Sequence, residues 1–136
     1  MKRYLLDTNV ISELRKLRPH GGVKAWFDGL RSEQIYLSAV TMGELQAGVE
    51  RTRKQDSAKA QEIEEWINAL PNTALVLAMD TLCFREWGRL MSGLPDTLSE
   101  DAMIAATARI HRLTLATRNE RDLRRFDVEI YNPFRS

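Results

Sequence analysis

The sequence predicts an α/β fold: a three-layer α/β/α sandwich with a mainly parallel central sheet of four to five strands, in a single domain over residues 1–136. Short runs of strand character, Tyr4-Leu5-Leu6, Ile35-Tyr36-Leu37, Leu75-Val76-Leu77, Leu115-Ala116-Thr117 and Val128-Glu129-Ile130-Tyr131, alternate with longer segments of helical periodicity. Such alternation implies right-handed crossovers, parallel strand pairing and helices on both faces of the sheet. The length suits one apolar core. Hydrophobic residues make up 43% and charged residues 29%, and no repeat or linker divides the chain.

The elements follow in order. The first strand stops at Asp7-Thr8-Asn9, whose side chains favour turns and helix caps, and a helix over about 10–16 should follow. Val23, Trp26, Phe27 and Leu30 fall at i, i+3, i+4, i+7, one face of a second helix. A helix from near Val40 to about Lys54 comes next, with Thr41 and Glu44 in the S/T-x-x-E arrangement of a capping box. Ile63, Trp66, Ile67 and Leu70 repeat the helical stripe, Pro71 and Asn72 end it, and 75–77 should be a buried strand.

Asp80 is expected to cap a helix carrying Cys83, Trp87, Leu90 and Met91. Beyond the turn at Pro95, residues 102–108 are small and apolar nearly all round, so this should be the most buried helix, packed closely on the sheet. The strand at 115–117 ends at Arg118-Asn119, with Asn119 a candidate N-cap for a short helix. Residues 128–131 read as an edge strand.

Composition excludes several classes. Twenty basic residues oppose nineteen acidic ones, a net charge of +1, so bulk charge selects no partner. Locally, however, Arg109, Arg112, Arg118, Arg121, Arg124 and Arg125 face only Glu120, Asp122 and Asp127. This is either a patch for phosphate or a solvated helix face. Cys83, the single cysteine, cannot form an internal disulfide or hold zinc alone, and should lie in the core. His20 and His111 lack a shared metal-binding spacing and read as surface or cap residues. No run of about 18 apolar residues exists, and Asp7 interrupts the start too early for a signal peptide, so a cytoplasmic location is expected.

Four acids stand out. Ligands of open parallel sheets bind beyond the carboxyl ends of the strands. Asp7 directly follows the first strand, Asp122 follows the strand ending at Thr117 by about one helical turn, and Glu44 and Asp101 sit in the first turns of their helices. All four should therefore meet at one edge. Clustered carboxylates repel, and a divalent cation keeps them ionised. Oxygen-only ligands select Mg²⁺, with Mn²⁺ as substitute, over zinc. Mg²⁺ on carboxylates suits phosphoryl chemistry without a Ser or Cys nucleophile. Taken singly, each of Glu44, Asp101 and Asp122 also has a reading as a cap or helix-dipole residue.

The segments Leu5-Leu6-Asp7-Thr8-Asn9, Ser38-Ala39-Val40-Thr41-Met42-Gly43-Glu44-Leu45, 101–108 and Ala116-Thr117-Arg118-Asn119-Glu120-Arg121-Asp122-Leu123 carry a further signal in their order and spacing. Through them the sequence resembles PIN-domain proteins of the VapC type, and within these the FitB-type toxins, over nearly its whole length. The resemblance implies a PIN-like sandwich and a Mg²⁺-dependent endoribonuclease acting as the toxin of a toxin–antitoxin module, with tRNA or other single-stranded RNA as substrate. It implies Asp7, Glu44 and Asp101 as metal ligands, Asp122 as a fourth, more variable acid, and Thr8, Asn9, Thr117 and Asn119 as supporting polar residues. Arg118, Arg121 and Arg124 are then the candidate RNA contacts. It further implies a homodimer, assembled with a cognate antitoxin into a heterotetramer or larger complex. The antitoxin's C-terminal segment would cover the pocket, against a surface that includes Leu14, Trp26, Phe27, Met42, Leu45 and Val49 unless these are plain core.

Two other readings remain open at this stage. A haloacid-dehalogenase-like phosphatase also places an aspartate after its first strand, but wants a second aspartate where this chain has Asn9. A non-cleaving module of the same shape, binding RNA or antitoxin only, would be expected to lack an acid.

Overall fold

The computed structural model describes residues 1–135. Five strands, β1 (Tyr4–Leu6), β2 (Ile35–Ser38), β3 (Leu75–Leu77), β4 (Thr114–Ala116) and β5 (Ile130–Tyr131), lie in the order β3-β2-β1-β4-β5. Every neighbouring pair is parallel; Leu5 stands opposite Tyr36 on one side and Leu115 on the other. Helices α1 (Thr8–Arg15), α2 (Gly21–Asp28), α3 (Ala39–Arg53), α4 (Ser57–Ala69), α5 (Thr81–Leu90), α6 (Ser99–His111) and α7 (Glu120–Arg124) make the crossovers. Short 3₁₀ turns at 32–34, 70–72, 96–98 and 133–135 complete the chain.

The three layers follow from strand alternation, since successive side chains point to opposite faces. Leu5 enters one core with Ala102, Ile104, Ala105 and Ala108 of α6, together with Leu123 and Phe126. Leu6 enters the other, with Val10 and Ile11 of α1, Val23 of α2, Leu37 and Leu70. Both leucines are fully buried, each contributing about 1.5–3 kcal/mol of transfer free energy. A satellite cluster of Val49, Ala60 and Ile67 ties α3 to α4. As expected, α6 is the helix with the longest buried run, Ile104 to Ala108.

Four expectations need correction. The capping box at Thr41 does not form: Ser38 caps α3, its hydroxyl accepting from the Val40 N–H at 3.0 Å, while Thr41 and Glu44 lie inside the helix and bond Thr8 instead. Strand β3 is not buried; it is a sheet edge, with Leu75 59% exposed. Asn119 precedes α7 but makes no capping hydrogen bond, because its amide turns to Asp122. Helix α1 also begins at Thr8, with Asp7 as its N-cap.

Other features hold. Asp80 caps α5 through the Cys83 N–H at 3.0 Å, and Cys83 is buried. His20 caps α2, its Nδ1 accepting from Gly22 and Val23. Among the described residues no helix is long and apolar enough to cross a membrane.

Candidate active site

Parallel pairing brings the carboxyl ends of β1, β2 and β4 to one edge, where α1 and α3 start directly. Asp7 occupies the β1–α1 junction. Its N–H donates to the Ala116 carbonyl at 2.9 Å, and its own carbonyl accepts from Val10 and Ile11, so backbone bonds fix it to β4 and α1. Its carboxylate is 7% exposed and fully partnered. Oδ1 accepts from the Thr8 N–H at 2.8 Å; Oδ2 accepts from the Thr117 hydroxyl at 2.8 Å and the Asn9 amide at 3.3 Å.

Thr117, wholly buried at the end of β4, organises this corner. Its hydroxyl donates to Asp7 and accepts from the Asn119 N–H at 3.0 Å. Asn119 in turn donates its amide to Asp122 Oδ2 at 3.2 Å. Asn9 closes the loop, its Oδ1 accepting from the Arg118 N–H at 3.2 Å. Thr117, Asn9 and Asn119 thus hold two of the four acids, and Thr8 holds a third: its hydroxyl donates to Glu44 Oε1 at 2.7 Å and lies 3.0 Å from the hydroxyl of buried Thr41.

The acids feel one another. Burial raises the proton affinity of Asp7 above the ordinary carboxylate value, overriding its three hydrogen bonds. Asp101 is raised by burial and then by the charges of Asp7, Asp122 and Glu100, against the opposing pull of Arg125. Glu44 is raised from 4.5 to about 7, first by burial, then by a hydrogen bond and charge from Glu100, and also by Asp7. Pairwise charge interactions link Asp7 to Glu44 and to Asp101, and Asp101 to Asp122.

Glu100 is a fifth acid that the sequence reading missed. It precedes Asp101 in the first turn of α6, a position where an acid also suits the helix dipole. Adjacent helical side chains diverge by about 100°, so nothing in the local pattern directs Glu100 toward the site. The packing of α3 against α6 brings it to Glu44.

Among the described residues, no three His, Cys, Asp or Glu side chains close into a ready-made metal cage. The donor set nonetheless fits Mg²⁺, which keeps several waters and takes few protein ligands. It consists only of carboxylate oxygens: burial and then neighbouring acids raise the proton affinities of Glu44 and Asp101, and burial raises that of Asp7. A divalent cation reverses that tendency.

The arginine cluster is mostly spent on the protein. Arg109 pairs with Glu86 at 2.6 Å and donates to the carbonyls of Phe126 and Asp127. Arg124 pairs with Glu120 at 3.2 Å, and Arg125 approaches Asp122 at 3.9 Å. Arg121 is exposed and makes no ion pair among the described residues. The guanidinium of Arg118 lies over the Phe134 ring, 3.9 Å from its centroid. Of the expected peptide-accepting surface, Val49 is core. Leu14, Trp26, Phe27, Met42 and Leu45 are half-buried against the α1–α2 core.

The model of the PIN domain family matches residues 4–129. This chain belongs to the PIN-domain family. The PIN domain described here is 36% identical to Toxin FitB of Neisseria gonorrhoeae, covering 96% of this chain and 97% of that protein. It is 35% identical to a VapC ribonuclease of Sinorhizobium fredii, over 96% of each. Its structure is similar to the crystal structure of FitAcB from Neisseria gonorrhoeae, with a TM-score of 0.82, 33% identity, and coverage of 98% of this chain and 99% of that one.

Proposed function

We propose that this PIN domain, residues 1–136 acting as one unit, is a Mg²⁺-dependent endoribonuclease and the toxin of a toxin–antitoxin module. The observation that carries this reading is the convergence of Asp7, Glu44, Asp101 and Asp122 at one sheet edge, each of the first three raised in proton affinity. The names of the relatives, a toxin and a ribonuclease, support it. Asn9, which donates to Asp7 rather than adding a second acid, weighs against an aspartyl-phosphatase mechanism.

Asp7, Glu44 and Asp101 would hold the metal, with Asp122 as the fourth acid; Mn²⁺ would substitute. Bound there, the cation supplies a polarised water and neutralises charge on the phosphodiester. The chain's own groups supply orientation. The Thr117 hydroxyl, Thr8 N–H and Asn9 amide fix both oxygens of Asp7, Thr8 fixes Glu44, and Asn119 fixes Asp122. In the reaction, the water oxygen forms a bond to phosphorus, the bond to the 3′ oxygen breaks, and one proton of the water ends on that departing oxygen. The fragments carry a 5′-phosphate and a 3′-hydroxyl.

We further infer single-stranded RNA or tRNA as substrate, a cytoplasmic setting, and a homodimer that joins a cognate antitoxin in a heterotetramer or larger assembly. Exposed Leu75, Leu82 and Phe84 offer apolar area for a protein partner. End-group analysis of RNA cut by the purified protein in Mg²⁺ tests the mechanism. The 5′-phosphate and 3′-hydroxyl ends are expected; 2′,3′-cyclic phosphate would show attack by the ribose hydroxyl and contradict it.

A further inference from the structure

The acids that mark the site also repel RNA, and a positive group near them offsets that repulsion and draws phosphate in. Arg109, Arg124, Arg125 and Arg135 are committed to Glu86, Glu120, Asp122 and Glu120. Arg118 differs. It is exposed, and its guanidinium makes no hydrogen bond or ion pair among the described residues. Glu13, which feels its charge, already accepts from Lys16 and from the His20 N–H.

What holds Arg118 is a ring. Its guanidinium carbon stands 3.9 Å from the centroid of Phe134. Phe134 is itself anchored: its N–H donates to Asn132 Oδ1 at 2.9 Å, Asn132 donates to Glu120 at 2.9 Å, and the His20 ring packs edge-on at 5.4 Å. The Arg118 backbone adds a second anchor through Asn9, which also donates to Asp7. A stacked guanidinium keeps its N–H groups in the plane and free at the edge, a fork that matches phosphate bidentately. Ordering it beforehand on Phe134 removes much of the entropic cost of closing on a ligand.

We propose that Arg118, pre-ordered on Phe134, is a clamp for an RNA phosphate flanking the one that is cut. This rests on the ribonuclease reading and names how that site grips its substrate. Lysine would keep the charge but lose the fork and the plane.

The test is fluorescence anisotropy with Mg²⁺ and a labelled single-stranded RNA, in an Asp101→Asn background that does not cut. A set of probes carries one uncharged methylphosphonate linkage each. With Arg118 present, neutralising one linkage should weaken binding by about tenfold, the size of one charge-assisted contact. Arg118→Ala should lose the same factor on unmodified RNA and nothing further at that linkage, with Arg118→Lys and Phe134→Leu falling between. The clamp is overturned if Arg118→Ala binds unmodified RNA as tightly, or if every linkage affects both proteins alike. Cleavage by the otherwise unaltered protein separates the claims. If it cuts RNA while these results fail, only the clamp falls; if it cuts no RNA, both fall.

Discussion

Thr8 and Glu44, 36 residues apart, meet through a hydrogen bond of 2.7 Å from hydroxyl to carboxylate. Thr8 has one proton to give, and Thr41, wholly buried and 3.0 Å away, completes the hydroxyl's coordination. This chain of two threonines fixes the carboxylate of an acid on a different helix from Asp7. Thr41→Val leaves the Thr8 oxygen short of a partner, which costs about 1–2 kcal/mol. We expect RNA cleavage to fall by about tenfold and to be largely restored in Thr41→Ser. Equal rates for valine and serine would show that the hydroxyl does nothing for the site.

Glu44 gives the metal-free protein an unusual pH dependence. Its folded-state pKa, about 7, lies above its ordinary 4.5. Between those values the folded chain keeps a proton that the unfolded chain has released. The resulting stability is fully present below 4.5 and lost as pH rises through 7. Asp7 and Asp101, also raised, act with the same sign. In EDTA, Tm should therefore be higher at pH 5 than at pH 7.5, and Glu44→Gln should shrink the difference. Thermal scans showing a lower Tm at pH 5 would contradict this.

Glu86 behaves oppositely. Arg109 and Arg89 hold its carboxylate below the usual range, so its stability is present above 4.5 and lost as pH falls further. The pair joins α5 to α6, and Arg109 reaches on to the carbonyls after α7. Removing its anchor by Glu86→Gln should cost about 1–2 kcal/mol, a drop in Tm of about 3–6 °C. Cleavage per folded molecule should be unchanged, as measured by activity well below the transition.

Much of this was legible in the sequence because local signals agreed. Tyr4-Leu5-Leu6 followed by Asp7 marked a buried strand and its ligand edge, and Asp80 and His20 sat where caps were needed. What failed depended on distant partners. The S/T-x-x-E spacing at Thr41 and Glu44 fits a capping box equally well, and only Thr8 decides otherwise. An apolar run such as Leu75-Val76-Leu77 does not say whether its strand is central or an edge. Glu100 and the Arg118–Phe134 stack are likewise products of tertiary packing.

Asp101→Asn removes one charge from a cluster that repels itself. In EDTA it should leave Tm equal to or above that of the unaltered protein, because a raised carboxylate destabilises the fold at neutral pH. With Mg²⁺ added, the stabilisation seen in the unaltered protein should shrink. An undiminished rise in Tm would place the metal elsewhere.

The central claim is that Asp7 and its neighbouring acids form a metal-dependent hydrolytic site for RNA. Its most direct test is cleavage of total tRNA and a labelled single-stranded RNA by purified, antitoxin-free protein in Mg²⁺, Mn²⁺ or EDTA, beside Asp7→Asn. The account predicts cutting in either metal, none in EDTA, and none by a folded Asp7→Asn protein. Cutting that survives EDTA or the substitution, or no cutting by folded protein in any metal, would contradict it.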